Sequence, residues 1–408
     1  MTSRLEDIDS HEALFLLRHC FAVPKLLYFL CSAPCFKRRD LLEEYDSVMR
    51  QTLEKILNTK LDEEKHLQSS LPVKFGGLGI RRATDLALPA FISSAHGAGW
   101  GIQNLLGEFS LESQYPILSE AVDLWKEQFN NDLTPLPTNT TAQAEWDSPV
   151  YQLIYRGLLD SQTVPSEKAR LLAVASEEAS NWLNAPPVTS LECKLDDDCL
   201  RIAVGLRLGS KLVEPHKCVC GQVVDPQGRH GLSCKNAKGT KPRHDKINDI
   251  LFRALRVGGM PSKLEVTGLC QDDAKRPDGV TIFAWTEGKN VAWDVTCADT
   301  LCQSHIAGTS REAGKAAEEA ETAKLTKYNE LTHGFNVIPV AMETLGSWGQ
   351  MGITFIRQIG ERMATKTGDK QSTFHLLQQI SMAVQRGNIA SIVGTLPDQR
   401  QLDKVFHM

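Results

Sequence analysis

The segment Lys275-Arg276-Pro277-Asp278-Gly279-Val280, followed by Val291-Ala292-Trp293-Asp294-Val295-Thr296-Cys297, decides how the rest of the chain is read. Side chains alternate along a strand, so Asp294 and Thr296 share one face while Trp293 and Val295 point the other way. A carboxylate inside an apolar strand costs free energy unless something pairs with it. Thr286-Glu287-Gly288-Lys289-Asn290 reads as a hairpin returning a strand over 280–285 against one over 291–297, and it can bring Asp278 onto the face of Asp294. Two carboxylates converging at one strand edge make a hard oxygen site suited to Mg²⁺. Glu265, on a strand expected over 263–269, can add a third oxygen. Such a metal activates water and neutralises charge building on a phosphodiester. The cation needed to steady that phosphate is sought on the next helix, where Lys324 and Lys327 share a face with Tyr328. Arg243-His244-Asp245, with Asn248 one turn on, is a further polar cluster. The plain alternatives are a turn aspartate before glycine for Asp278, a satisfied structural carboxylate for Asp294, and solvated lysines.

Outward from this segment the grammar is consistent. Ile247, Ile250, Leu251, Ala254 and Leu255 form one stripe of a helix over 243–257, which Gly258-Gly259 ends. A helix is expected over 310–331, a strand over 335–342, and helices over 351–365 and 373–386. The order is α-β-β-β-α-β. Upstream, residues 9–33 and 40–66 have helical spacing, broken by Pro24 and Pro34, and Leu41, Leu42, Tyr45, Val48, Met49, Leu53, Ile56 and Leu57 step along one stripe. Gly76, Gly77 and Gly79 predict a tight turn or a close backbone contact; a phosphate cradle is the lesser reading, because the spacing is not G-x-G-x-x-G. Residues 130–150 read as a linker, and 166–183 as an acidic helix. The chain is therefore expected to be α+β: a mostly helical N-terminal half, then a metal loop, then the α-β-β-β-α-β core with a helical tail.

That loop contains Cys218, Cys220, His230 and Cys234, four soft ligands within 17 positions. Zinc takes four tetrahedral thiolate or imidazole ligands from such short loops. Gly221, Gly228 and Gly231 supply turns, and Lys217, Arg229 and Lys235 flank the ligands and help hold thiolates ionised. The C-x-C pair is tighter than the common C-x-x-C. The competing reading is scattered core cysteines and a surface histidine.

The 408 residues, 42% hydrophobic and 23% charged, exclude wholesale disorder, collagen and coiled coil. The net charge of −5 conceals a −12 segment over 83–200 and a +7 segment over 201–289. The odd count of 11 cysteines fits a reduced compartment, and the acidic N-terminus lacks the form of a secretory signal. Residues 14–36 are apolar but interrupted by Arg18, His19, Pro24 and Lys25, so they are expected to be buried helices with no membrane partner. A nuclear or cytoplasmic location, not a secreted one, follows. The sequence is silent on oligomeric state.

At these residues the chain resembles the C-terminal end of a non-LTR retrotransposon polyprotein. Cys218, Cys220, His230 and Cys234, the following Arg243-His244, and Lys275-Arg276-Pro277-Asp278 with Asp294 resemble the restriction-like endonuclease of the site-specific elements, a PD-(D/E)xK fold. Residues 13–79, with Val23-Pro24-Lys25-Leu26-Leu27-Tyr28 and Leu71-Pro72-Val73, resemble the thumb that follows a reverse transcriptase palm. The domains expected are a thumb-like segment (1–100), an acidic connector (101–200), the zinc loop (201–242), the nuclease (243–370) and a helical tail (371–408). The palm's aromatic-x-Asp-Asp hairpin is missing (Asp272-Asp273 and Asp196–Asp198 sit in none), so a truncated chain without polymerase activity is expected. Thr296 replaces the family's motif lysine, which implies that the lysine has moved to the helix, at Lys324 or Lys327. The resemblance implies a Mg²⁺-dependent DNA-nicking endonuclease with structural Zn²⁺. Its metal is held by Asp278 and Asp294, and its DNA target by Lys217, Arg229, Arg243, His244, Lys275 and Arg276, with the element RNA a second partner. The alternative is a non-catalytic zinc-dependent DNA- or RNA-binding remnant.

Overall fold

The computed structural model describes residues 2–106, 115–129, 135–269 and 275–396. The chain divides at Ser161 into two compact units, and the cut falls inside the segment expected to be an acidic connector. Asp272-Asp273 and the start of the expected linker, 130–134, lie outside the described residues.

The first unit is helical: α1 (Ser10–Leu16), α2 (Val23–Ser32), α3 (Arg39–Ile56), α4 (Glu63–Ser70), α5 (Ala83–Leu106), α6 (Pro116–Glu127) and α7 (Gln143–Asp160). Helix α7 starts within the expected linker and carries Pro149 in its interior. Trp125 and Trp146 meet edge-on at 4.9 Å in a core with Phe91, Ile92 and Leu118. Asp46 of α3 caps α5 from a distance, accepting from the N–H groups of Ala83 (2.6 Å) and Thr84 (3.1 Å). On α3, Leu42, Met49, Leu53 and Ile56 are buried, whereas Leu41 and Val48 are exposed, so the predicted stripe is narrower than expected. The glycine turn is a close backbone contact: a Cβ on Gly77 would lie 2.0 Å from the Leu71 carbonyl oxygen, and Gly76 and Gly79 have positive φ. The segment Ser10–Ser32 is long and apolar enough to cross a membrane by length and composition alone, and 28% of its most apolar window is buried. A π-turn over Leu17–Phe21 and Pro24 at the start of α2 divide it.

The second unit begins with α8 (Pro165–Val174), α9 (Asn181–Asn184) and α10 (Asp197–Leu208), so the expected helix over 166–183 is two helices. A hairpin of β1 (His216–Lys217) and β2 (Val223–Val224) and the short α11 (Arg229–Ser233) follow. Then come α12 (Thr240–Val257), β3 (Ser262–Leu264), β4 (Gly279–Thr281), β5 (Asn290–Ala298), α13 (Ile306–Thr309), α14 (Lys315–Lys327), β6 (Phe335–Glu343), α15 (Gln350–Thr367) and α16 (Ser372–Val393). The sheet order is β3-β4-β5-β6, with β3, β4 and β5 antiparallel and β5 and β6 parallel along their whole length. Val291, Trp293 and Val295 pack with α12, α15 and α16 in one core. Asp294, on the opposite face, meets Lys324 of α14 and Tyr328 just after it. Of the tail expected over 371–408, the described helix α16 lies inside this core, buried from Ser372 to Ile392 over most of its surface; residues 397–408 lie outside the described residues.

Three elements are shorter than their sequence pattern. Strand β3 ends at Leu264 because Glu265 turns to φ 49°. Strand β4 ends at Thr281, whose hydroxyl accepts the Val291 N–H (2.9 Å) where a ladder carbonyl would stand. The helix expected from 310 begins at Lys315, after Gly314 at φ 86°. The hairpin turn survives in small form, with Glu287 and Gly288 both at positive φ between the bridged Thr286 and Lys289.

Gly279 lies opposite Trp293, and a Cβ there would sit 2.0 Å from the indole ring. Gly279→Ala is therefore expected to destabilise the second unit by about 1–3 kcal/mol through overpacking, measured by denaturant unfolding.

Candidate functional site

The four soft ligands converge. The β1–β2 turn carries Cys218 and Cys220, with Gly221 at φ 89°, and α11 carries His230 and delivers Cys234 at its end. Their ligand atoms all lie within 4.8 Å of one another. Cys220 Sγ is 3.1 Å from His230 Nε2, and Cys218 Sγ is 3.7 Å from Cys234 Sγ. The Gln222 N–H beside Cys220 lowers its thiol pKa to about 7, whereas burial pushes Cys234 up to about 11. Three thiols and an imidazole at this separation can hold a tetrahedral soft cation. The loop is seated on α16: a Cβ at Gly239 would lie 1.9 Å from the Gly387 carbonyl oxygen, and one at Gly231 would lie 2.9 Å from that of Ser391.

Pairing runs Leu264↔Gly279 and Gly279↔Trp293, so Glu265, Asp278 and Asp294 each stand one residue beyond a paired position, and the Glu265 N–H donates to the Asp278 carbonyl (2.8 Å). Different helices then take hold of each carboxylate. Asp278 Oδ2 accepts from Val295 N–H (2.7 Å), His244 Nε2 (2.9 Å) and Asn248 Nδ2 (3.1 Å). Burial acts to raise the Asp278 pKa, but the His244, Val295 and Asn248 donors outweigh it and hold the carboxyl below its ordinary value. The hydrogen bond to Asp278 raises His244 against the opposing effect of burial. Asp294, 4% exposed, accepts from Lys324 at Oδ1, and the Tyr328 hydroxyl lies 2.5 Å from its Oδ2. That hydroxyl is also 2.7 Å from the Arg276 carbonyl and accepts from Lys327 (2.8 Å). Lys327 itself stands 4.0 Å from Asp294 Oδ2.

The remaining sequence candidates disperse. Glu265 faces solvent and pairs with Arg276 at 3.2 Å, its positive φ having turned it out of the strand pattern. Arg243 is 2% exposed and donates to Asn388 (2.8 Å), so it is no surface contact for nucleic acid. Arg229 donates to Ser166 (2.7 Å) and pairs with Glu167. His244, read as a nucleic-acid contact, holds Asp278 instead. Lys275 is half-buried and Lys217 exposed. The sequence pattern set Asn248 in the polar cluster with His244 and Tyr328 on the lysine face, but gave neither a role; the structure gives Asn248 to Asp278 and Tyr328 to Asp294.

No family model matches the chain. It is 22% identical over 375 residues to the retrotransposable element SLACS 132 kDa protein of Trypanosoma brucei gambiense. The alignment takes in 90% of this chain and 27% of that protein, so the chain spans about a quarter of its relative's length. The likeness supports derivation from a retrotransposon.

The His244–Asp278 pair makes a pH-dependent contribution. With His244 raised above 6.5, its share is full below that value and is lost as pH climbs through the folded pKa. With Asp278 lowered below 3.8, its share is present above that value and is lost as pH falls through the folded pKa. His244→Gln is therefore expected to lower the melting temperature most between roughly pH 4 and 6.5 and progressively less as the pH climbs above that window. Melting curves of both proteins across that range check it.

Proposed function

We propose that this chain is a Mg²⁺-dependent DNA endonuclease of the restriction-like PD-(D/E)xK type, cutting one strand as an element-encoded nuclease. The observation that carries the reading is that Asp278, just before β4, accepts from the Val295 N–H of β5, the residue after Asp294, with Lys324 on the Asp294 carboxylate, within an α-β-β-β-α-β order. The donor chemistry fits the metal, since ionised carboxylates are the oxygen ligands that Mg²⁺ takes beside water and phosphate. When bound there, Mg²⁺ would lower the pKa of a water and neutralise charge on the phosphodiester. The rest falls to the chain's own residues. Asp278 and Asp294 would hold the cation. Lys324, in direct contact with Asp294, is preferred to Lys327 as the phosphate-steadying group replacing the lysine that Thr296 displaces. Tyr328 would orient Asp294.

Zinc, held by Cys218, Cys220, His230 and Cys234, is assigned a structural role. Exposed Lys217, Lys235, Lys238 and Lys241, which make no ion pair among the described residues, support a DNA backbone surface running from the metal loop to α12. The first unit is read as thumb-like. The second reading, a non-catalytic zinc-dependent nucleic-acid-binding remnant, is favoured by Thr296 and shares every feature except cleavage.

Two measurements decide. Purified protein is expected to nick supercoiled plasmid with Mg²⁺, and Asp278→Ala to abolish nicking while DNA binding in low salt persists. Binding without any cleavage by the unaltered chain would leave the remnant reading standing. Separately, metal analysis is expected to find about one zinc per chain, lost in Cys218→Ser together with a fall in melting temperature.

A further inference from the structure

The two oxygens of Asp278 have different surroundings. Oδ2 carries three donors, from Val295, His244 and Asn248. Oδ1 has no hydrogen-bond partner among the described residues, and the side chain is 17% exposed. Such one-sided satisfaction fixes the rotation of the carboxylate and leaves one named oxygen open.

Asn248 is the donor whose own orientation is set by the core. It is 6% exposed, and its Oδ1 accepts from Trp293 Nε1 at 3.0 Å. An indole N–H can only donate, and an ionised carboxylate can only accept. The amide oxygen must therefore face Trp293, and the amide nitrogen must face Asp278. No flipped arrangement satisfies both neighbours. Trp293 is itself fully buried on β5 beside Asp294, with its ring packed over Gly279. The line Trp293–Asn248–Asp278 thus couples the strand that carries one acid to the carboxylate of the other.

We infer that Asn248, held by Trp293, is the positioning residue that presents Asp278 Oδ1 to a divalent cation. The inference rests on the reading of Asp278 as a cation ligand. Asn248 touches neither cation nor substrate; it acts through Asp278 alone. Groups that orient a ligand from behind typically govern metal affinity by 10–100-fold when removed. The effect should therefore appear in metal affinity and spare turnover once the metal is saturating.

The test uses the full chain with zinc retained. Mn²⁺ binding is followed by electron paramagnetic resonance, counting only the binding lost in Asp278→Ala, and plasmid nicking is followed across Mg²⁺ concentration. Asn248→Leu, which keeps the volume and removes both polar groups, is expected to weaken Mn²⁺ binding about 10-fold or more. It should shift the Mg²⁺ dependence of nicking to higher concentration, with the rate at saturation close to that of the unaltered chain. Trp293→Phe, which keeps a ring and removes only the indole N–H, is expected to move both curves in the same direction by less. Should Asn248→Leu fail to fold, Trp293→Phe carries the comparison on the same criterion. Nicking with unchanged metal curves in both variants overturns the inference and leaves the nuclease reading intact. An unaltered chain that neither binds Mn²⁺ through Asp278 nor nicks DNA overturns the cation-ligand reading and this inference with it.

Discussion

Asp294 is a charge placed in the middle of a buried parallel strand pair, and the surrounding structure answers it. An ionised carboxylate removed from water at such a position costs several kcal/mol unless charge and hydrogen bonds compensate. The compensation comes from the end of α14, where Lys324 and the following Tyr328 reach the two oxygens. This requirement fixes where α14 lies over β5 and β6. Because the Tyr328 hydroxyl also reaches the Arg276 carbonyl, the same contact ties down the loop leading into Asp278. Acids set the ends of the neighbouring helices as well. Glu343, at the end of β6, accepts from the Ala316 and Ala317 N–H groups at the start of α14. Glu321 of α14 accepts from Met351 and Gly352 at the start of α15. Each sets a carboxyl oxygen on the free N–H groups of a helix's first turn, while burial raises the pKa of both groups.

What the sequence revealed follows from the range of the forces involved. The α12 stripe, the apolar runs of β5 and β6, and the four metal-loop ligands are short-range patterns, and all are where the spacing put them. That the strand of Asp278 lies beside the strand of Asp294 was also legible from the alternation and the hairpin, but the register was not: the ladder pair Gly279↔Trp293 is three residues out of step with the Thr286↔Lys289 bridge of the turn. The ends of β3 and β4 were not, because they depend on one backbone reversal at Glu265 and on a threonine hydroxyl standing in for a ladder carbonyl. The start of α14 depends on Glu343, which arrives from a later strand. Spacing alone places Lys324 and Lys327 on one helical face; only the packing of α14 on β5 separates the lysine that touches Asp294 from the one that reaches Tyr328.

The same distinction separates formal charge from available charge. The basic block over 201–289 suggested a nucleic-acid face, yet its arginines are partly committed elsewhere. Arg243 lies under Gly387 of α16, where a Cβ would meet its side chain at 2.5 Å, and Arg229 is matched to Glu167. Such pairings satisfy the arginines within the fold and remove them from the surface. The lysines of the metal loop and the start of α12 remain exposed. A composition count gives all of these residues the same weight, whereas burial sorts them into those that hold the protein together and those free to meet a phosphate.

Helix α16 underlies much of this unit. It fills the core behind Trp293, receives Arg243, and provides the surface on which Gly231 and Gly239 of the metal loop rest. It is also translated after every element it supports. While the ribosome has yet to release residue 393, the sheet lacks a large part of its apolar cover and the cysteines have no seat, so this unit completes its folding only after that helix has emerged. A premature stop upstream of Ser372 would therefore leave the acids and the cysteines intact in sequence yet expose a wide apolar surface, and the product would be a substrate for chaperones and proteases before its chemistry became relevant.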